Sequence, residues 1–144
     1  MSKSYGMAGW RLGFALGNVE LVRRIELLQE HAFAGIFRPL QEAGIAALTG
    51  PQDSVEERRA TYERRRDRVL AALGALEAQS EGTFFVWFRP PEDMTVERLL
   101  LEHRVALAPG EGFGARGAGW ARLSLAVTDE TLDVGLSRLR EAFT

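Results

Sequence analysis

The sequence predicts an α/β fold of the mixed α+β kind, a small sheet packed with helices, and three observations predict it. Apolar residues recur at helical spacing over residues 19–31, 51–78 and 129–143. Two dense apolar runs, 82–88 and 120–127, are too short for helices and read as strands. Glycine and proline punctuate the chain between these stretches, at Gly50 and Pro51, at Pro90 and Pro91, and through 109–114. With 144 residues, 46% of them apolar and 26% charged, the chain makes one domain or a little more, with a real core.

Composition narrows the function classes. A net charge of -2 gives no general pull toward nucleic acid or an anionic membrane. The absence of cysteine rules out disulfides, thiolate metal sites and a cysteine nucleophile, and it suits a reducing cytoplasm. The longest apolar runs are far too short to span a bilayer. The expectation is a soluble cytoplasmic protein without metal, nucleic-acid or membrane partners.

In chain order, Leu12, Phe14 and Leu16 alternate with Arg11, Gly13 and Ala15, which predicts a strand with Arg11 on the less crowded face. Gly17 and Asn18 turn the chain into a helix over 19–31, where Leu21, Val22, Ile25 and Leu28 make one stripe. A second, nearly all-apolar helix spans 40–48 and stops at Gly50 and Pro51. The longest helix follows over 51–78, with Val55, Tyr62, Val69 and Leu76 seven residues apart and a length of roughly 35–40 Å. Its arginines (58, 59, 64, 65, 66 and 68) lie within helical reach of Glu56, Glu57, Glu63 and Asp67, which reads as ion-paired surface.

A strand over 82–88 ends at Arg89 and two prolines, and a short helix covers 93–103 with Val96, Leu99 and Leu100 inward. A strand over 105–108 enters the glycine-dense loop 109–114. That loop reads equally well as backbone approaching a ligand or as plain hairpin geometry. The strand 120–127 puts Ala121, Leu123, Leu125 and Val127 on its apolar face, leaving Arg122 on the other. Thr128 or Asp129 caps the last helix, whose buried stripe is Leu132, Leu136, Leu139 and Phe143.

The chemistry suggested by the first residues is that of a phosphate-bearing aldehyde. A lysine amine condenses with such an aldehyde, and an arginine fork grips its phosphate. Lys3 is the only lysine among the 18 basic residues, placed where arginine could not serve because it does not give up its proton. Lys3, Gly6, Met7, Gly9, Arg11, Leu12 and Gly13 together resemble the pyridoxal-phosphate lysine motif of the class I/II (fold type I) aminotransferases. The resemblance runs the length of the chain. Residues 36–41, 50–53, 62–67, 82–87 and 109–114 look most like the alanine-type and LL-diaminopimelate-type members.

That resemblance implies a C-terminal piece of such an enzyme. Residues 1–50 would end the large cofactor-binding domain. Residues 51–144 would form the small domain, a mixed sheet with helices behind a long interdomain helix. Lys3 would be the catalytic, cofactor-binding lysine, Arg11 the phosphate ligand and Arg122 the ligand of the substrate carboxylate. Pyridoxal 5'-phosphate is the implied cofactor, and an amino acid and a 2-oxo acid are the implied substrates. A homodimer is implied too, with Phe37, Arg38 and Gln41 approaching the partner's site. The family's ring-nitrogen carboxylate, its stacking aromatic and its glycine-rich phosphate loop have no counterpart here. The chain is therefore expected to be inactive without an N-terminal half. The competing expectation is a non-catalytic folding and self-association module.

Overall fold

The computed structural model describes residues 1–144. Three helices come first: α1 (Val19–Phe33), α2 (Arg38–Thr49) and α3 (Asp53–Leu73). There follow β1 (Ala78–Gln79), β2 (Phe85–Phe88), α4 (Val96–His103), β3 (Ala108–Pro109), β4 (Ala121–Ser124) and α5 (Asp129–Ala142). The chain divides into two compact units, Met1–Arg59 and Ala60–Thr144, the division falling inside α3.

The unit Ala60–Thr144 is a two-layer α+β structure. Its four strands run in the order β1-β2-β4-β3. The sheet was expected to be mixed, but every pairing in it is antiparallel. One face buries Val86, Phe88, Ala121 and Leu123 against Val69 and Leu73 of α3, Leu99 of α4, and Leu132, Leu136 and Leu139 of α5. Six of the largest core side chains are sealed from water, Phe88, Leu99 and Leu139 among them. Each such burial contributes on the order of 1.5–3 kcal/mol. Alternation then turns Phe85, Trp87, Arg122 and Ser124 to the opposite face, where none is buried.

Local chemistry fixes most boundaries. Thr128 accepts from the Thr131 N–H to start α5, and Thr95 accepts from Arg98 N–H, so α4 begins at Val96 and not at residue 93. Gly74, at φ 61°, ends α3 by donating its N–H to the Leu70 carbonyl. The helix is therefore about 32 Å long, shorter than the spacing suggested, and Leu76 lies beyond it. The chain then has room for β1, which pairs with β2 and has no counterpart in the sequence reading. Leu100, expected inward, is half exposed, because α4 presents Leu99 to the core instead.

In the unit Met1–Arg59 the expected strand at 11–16 does not form. Ala8–Trp10 is a single 3-10 turn, Arg11 sits in the left-handed region at φ 52°, and residues 12–16 are irregular. Alternation alone makes no ladder, and this unit offers no neighbouring strand. Leu12 packs instead on Gly44 of α2, where a Cβ would come within 2.7 Å of its methyl. The stripe of α1 is unburied: no residue of that helix is buried, and Leu28 is 69% exposed. The only buried residue in α2 is Gly44.

Candidate active-site residues

Lys3 lies in a turn closed by the Tyr5 N–H on the Met1 carbonyl at 3.2 Å and the Gly6 N–H on the Lys3 carbonyl at 3.3 Å. Two long-range contacts pin that turn. The Tyr5 hydroxyl donates to Gln52 Oε1 at 2.9 Å, and the Arg58 guanidinium donates to the Ser4 carbonyl. Gln52 is itself held, its amide donating to the carbonyls of Gly50 at 2.7 Å and Ala47 at 3.1 Å. A Cβ on Gly6, which sits at φ 66°, would meet the Arg58 guanidinium at 3.5 Å. The lysine is thus exposed on a backbone fixed by residues fifty positions away. The roles of Tyr5 and Gln52 were not legible in the sequence, and Arg58 read there as ion-paired surface, since no local pattern marks a contact of that separation.

Arg11 follows the 3-10 turn, and its Nη1 donates to the Ala8 carbonyl at 3.3 Å, leaving most of its fork exposed. A left-handed non-glycine residue is uncommon and costs about 1 kcal/mol or more, and such residues cluster at functional sites. An amine able to form an imine and a guanidinium able to grip a phosphate are the donor set that pyridoxal phosphate needs, so the chemistry of these two residues fits that group. Elsewhere in this unit, Phe37 is exposed, Arg38 pairs with Glu42 at 3.4 Å, and the Gln41 amide donates to the Ile36 carbonyl at 2.7 Å.

Arg122 lies in the other unit, on β4, opposite Trp87 of β2 and Ala108 of β3. Its guanidinium carbon stands 4.0 Å from the ring centre of Phe85 and 4.3 Å from that of Phe113. None of its donors meets a protein acceptor, and no carboxylate pairs with it. The partly buried arginines of α3 differ. Arg65 binds Asp129 at 2.8 Å and the Leu125 carbonyl at 3.1 Å, while Arg68 binds Asp133 and, at 3.5 Å, Asp129. The Arg65 guanidinium, helped by the charges of Arg64 and Arg68, holds the Asp129 carboxyl below the usual range.

The glycine-dense loop joins the antiparallel neighbours β3 and β4 through two successive 3-10 turns, Gly110–Phe113 and Ala115–Gly117. Gly110 and Gly117 meet backbone to backbone. A Cβ on Gly110 would lie 2.1 Å from the Gly117 carbonyl oxygen, and one on Gly117 would lie 2.0 Å from that of Gly110. Across the loop, Glu111 accepts the Gly119 N–H at 3.1 Å, and that bond keeps its carboxyl below the ordinary glutamate range. No helix in the protein is long and apolar enough to cross a membrane.

Comparison with known proteins matches this geometry to one family. The family profile "Aminotransferase class I and II" covers residues 1–139. The LL-diaminopimelate aminotransferase of Nitratidesulfovibrio vulgaris (strain DP4) is 41% identical across 96% of the chain, which corresponds to 38% of that enzyme. The L-glutamine–4-(methylsulfanyl)-2-oxobutanoate aminotransferase of Bacillus subtilis (strain 168) is 42% identical and is matched over 37% of its length. Among solved structures, an aminotransferase from Staphylococcus aureus superposes with a TM-score of 0.91 at 37% identity, over 98% of this chain and 39% of that one. The chain spans about two-fifths of the length of these relatives, consistent with their C-terminal part. This chain belongs to the class I and II aminotransferases.

Proposed function

We propose that the chain is the C-terminal part of a pyridoxal-phosphate-dependent aminotransferase that moves an amino group between an amino acid and a 2-oxo acid. Residues 1–50 end the large domain in this reading, and 51–144 make the small domain. The observation that carries the reading is the family's lysine motif folded as a pinned turn, with the chain's single lysine exposed on it. Arg11 holds the cofactor's phosphate, and Arg122 receives the substrate's α-carboxylate through two parallel hydrogen bonds. Lys3 would hold the cofactor through its amine and, when free of it, would carry the proton to and from the substrate's Cα. The cofactor, when bound, supplies the electron sink that makes that Cα proton acidic. In this reading the working enzyme is a cytoplasmic homodimer in which Phe37, Arg38 and Gln41 stand near the partner's site.

The test joins the chain to what it does not match in its relatives. Co-expression with the complementary N-terminal portion of the Bacillus subtilis relative is expected to give measurable transamination, absent from either piece alone. Lys3→Ala abolishes it, and an active Lys3→Ala pair would overturn the reading.

A second reading, a non-catalytic self-association module, is favoured by one observation. The unit Met1–Arg59 leaves Phe14, Leu16, Leu28, Phe33 and Phe37 well exposed, far more apolar surface than a monomer usually shows. Sedimentation of the chain alone separates the two. Defined oligomers that ignore pyridoxal phosphate support the module, whereas dissociation when the N-terminal portion is added supports the enzyme.

A further inference from the structure

The uncommitted arginine of β4 raises the question of what fixes its direction. A guanidinium with no protein acceptor normally sweeps through several rotamers, and a two-point grip on a carboxylate needs its plane held. Here the plane has neighbours. The ring of Phe85 on β2 and the ring of Phe113 from the glycine-dense loop both lie under the Arg122 guanidinium carbon, at 4.0 and 4.3 Å. Neither ring offers a hydrogen-bond acceptor, so all five N–H donors stay available.

Both rings are themselves fixed. Phe113 meets the ring of Trp87 edge-on at 5.1 Å, and Trp87 is the residue directly across the ladder from Arg122. Phe85 lies tilted against Phe84 with ring centres 4.3 Å apart, and Phe84 lies 5.6 Å from Tyr62 of α3. The backbone that delivers Phe113 is held by the Gly110–Gly117 approach and by Glu111 on the Gly119 N–H. Glu111, which shares the loop with Phe113, is thereby taken up by the loop's own amide and is not spent on Arg122.

We propose that Phe85 and Phe113 are positioning residues for carboxylate recognition. They fix the plane of Arg122 and leave its hydrogen-bonding edge to the ligand, and the glycine-dense loop serves to place Phe113. This inference rests on the reading of Arg122 as the carboxylate ligand, and the experiment separates the two.

The Nε–Hε resonance of Arg122 is followed by nitrogen-15 NMR in the full chain while pyruvate is added, in the wild type and in Phe113→Leu, Phe113→Tyr, Phe85→Leu and Arg122→Lys. The expected wild-type result is a saturable shift. Phe113→Leu and Phe85→Leu weaken pyruvate binding about three- to tenfold with unchanged melting temperature, on the scale of a lost cation–π contact. In both, rotation about the Nε–Cζ bond of the free protein speeds up, a readout that a purely structural ring would not move. Phe113→Tyr restores both properties. A wild-type resonance that never saturates overturns the carboxylate reading itself. Saturable binding that both leucine variants leave unchanged, with rotation unaltered, overturns the positioning role alone.

Discussion

At the scale of single residues the tightest constraints are glycines. Gly110 and Gly117 approach so closely that no side chain fits between them, whereas Gly112 in the same loop faces open space. Gly110→Ala is therefore expected to destabilise the protein by about 2–4 kcal/mol, because the new methyl meets carbonyl oxygens that cannot swing aside. Gly112→Ala should change stability little. Urea unfolding of the two variants checks this, and equal midpoints would contradict the loop geometry.

Arg11 carries a second prediction at this scale. Arg11→Ala should weaken binding of pyridoxal phosphate by the co-expressed pair at least tenfold, yet leave binding of phosphate-free pyridoxal unchanged. Equilibrium dialysis of both compounds reads it. Equal losses for both would mean that Arg11 does not hold the phosphate.

At the scale of elements, α5 is tied to α3 by apolar packing and by charge. Leu139 is sealed in the core, so Leu139→Ala is expected to cost about 2–5 kcal/mol. Thr128→Ala, which removes the cap, should cost about 1 kcal/mol. The ion pairs add a pH dependence of definite sign. Asp129 holds its proton more weakly folded than unfolded, so its stabilising contribution is complete above the ordinary aspartate range. It fades as the pH falls through that range and below it. Thermal melts of Arg65→Ala across the acid range should show a shallower decline than the wild type. An unchanged slope would deny the pair that role.

Elements also show what sequence can reveal. The last helix was largely legible: of the two cap candidates Thr128 is the one that caps it, and Leu132, Leu136 and Leu139 are buried at helical spacing, whereas Phe143 lies one residue past the helix and is only partly buried. The alternation over 11–16 misled, because period two says which way side chains point on a strand but not whether a partner strand exists. The pair Ala78 and Gln79 is too short to carry a pattern at all. Arg122 was legible as an arginine off the core face, since Leu123 and Ala121 flank it. Its two phenylalanines were not: Phe113 reaches it through a loop whose path depends on backbone contacts between glycines. The run 82–88 read as a dense apolar strand, and the ring of Phe85 on its less buried face turns out to lie against the Arg122 guanidinium.

At the scale of the whole molecule, burial is uneven. Nearly all of the buried core belongs to Ala60–Thr144, while Met1–Arg59 buries only Met7 and Gly44. A segment so rich in uncovered Leu, Phe and Ile is marginal alone, since its helices gain little from tertiary packing. The chain matches its relatives over two-fifths of their length, and on the proposed reading the remainder of such an enzyme covers this surface. Amide hydrogen exchange should therefore find α1 and α2 weakly protected in the isolated chain and α5 strongly protected. Joining the N-terminal portion should raise protection in α1 and α2 while leaving α5 as it was. Strong protection of α1 in the isolated chain at a monomeric concentration would contradict this account.

The most direct test of the central claim is chemical. The chain has two amines that can condense with an aldehyde, Lys3 and its amino terminus. The co-expressed pair is incubated with pyridoxal phosphate, reduced with borohydride and mapped by peptide mass spectrometry. The account predicts one label per chain, on Lys3, blocked by excess substrate amino acid. A label confined to the amino terminus, or spread equally between the two amines, would contradict it.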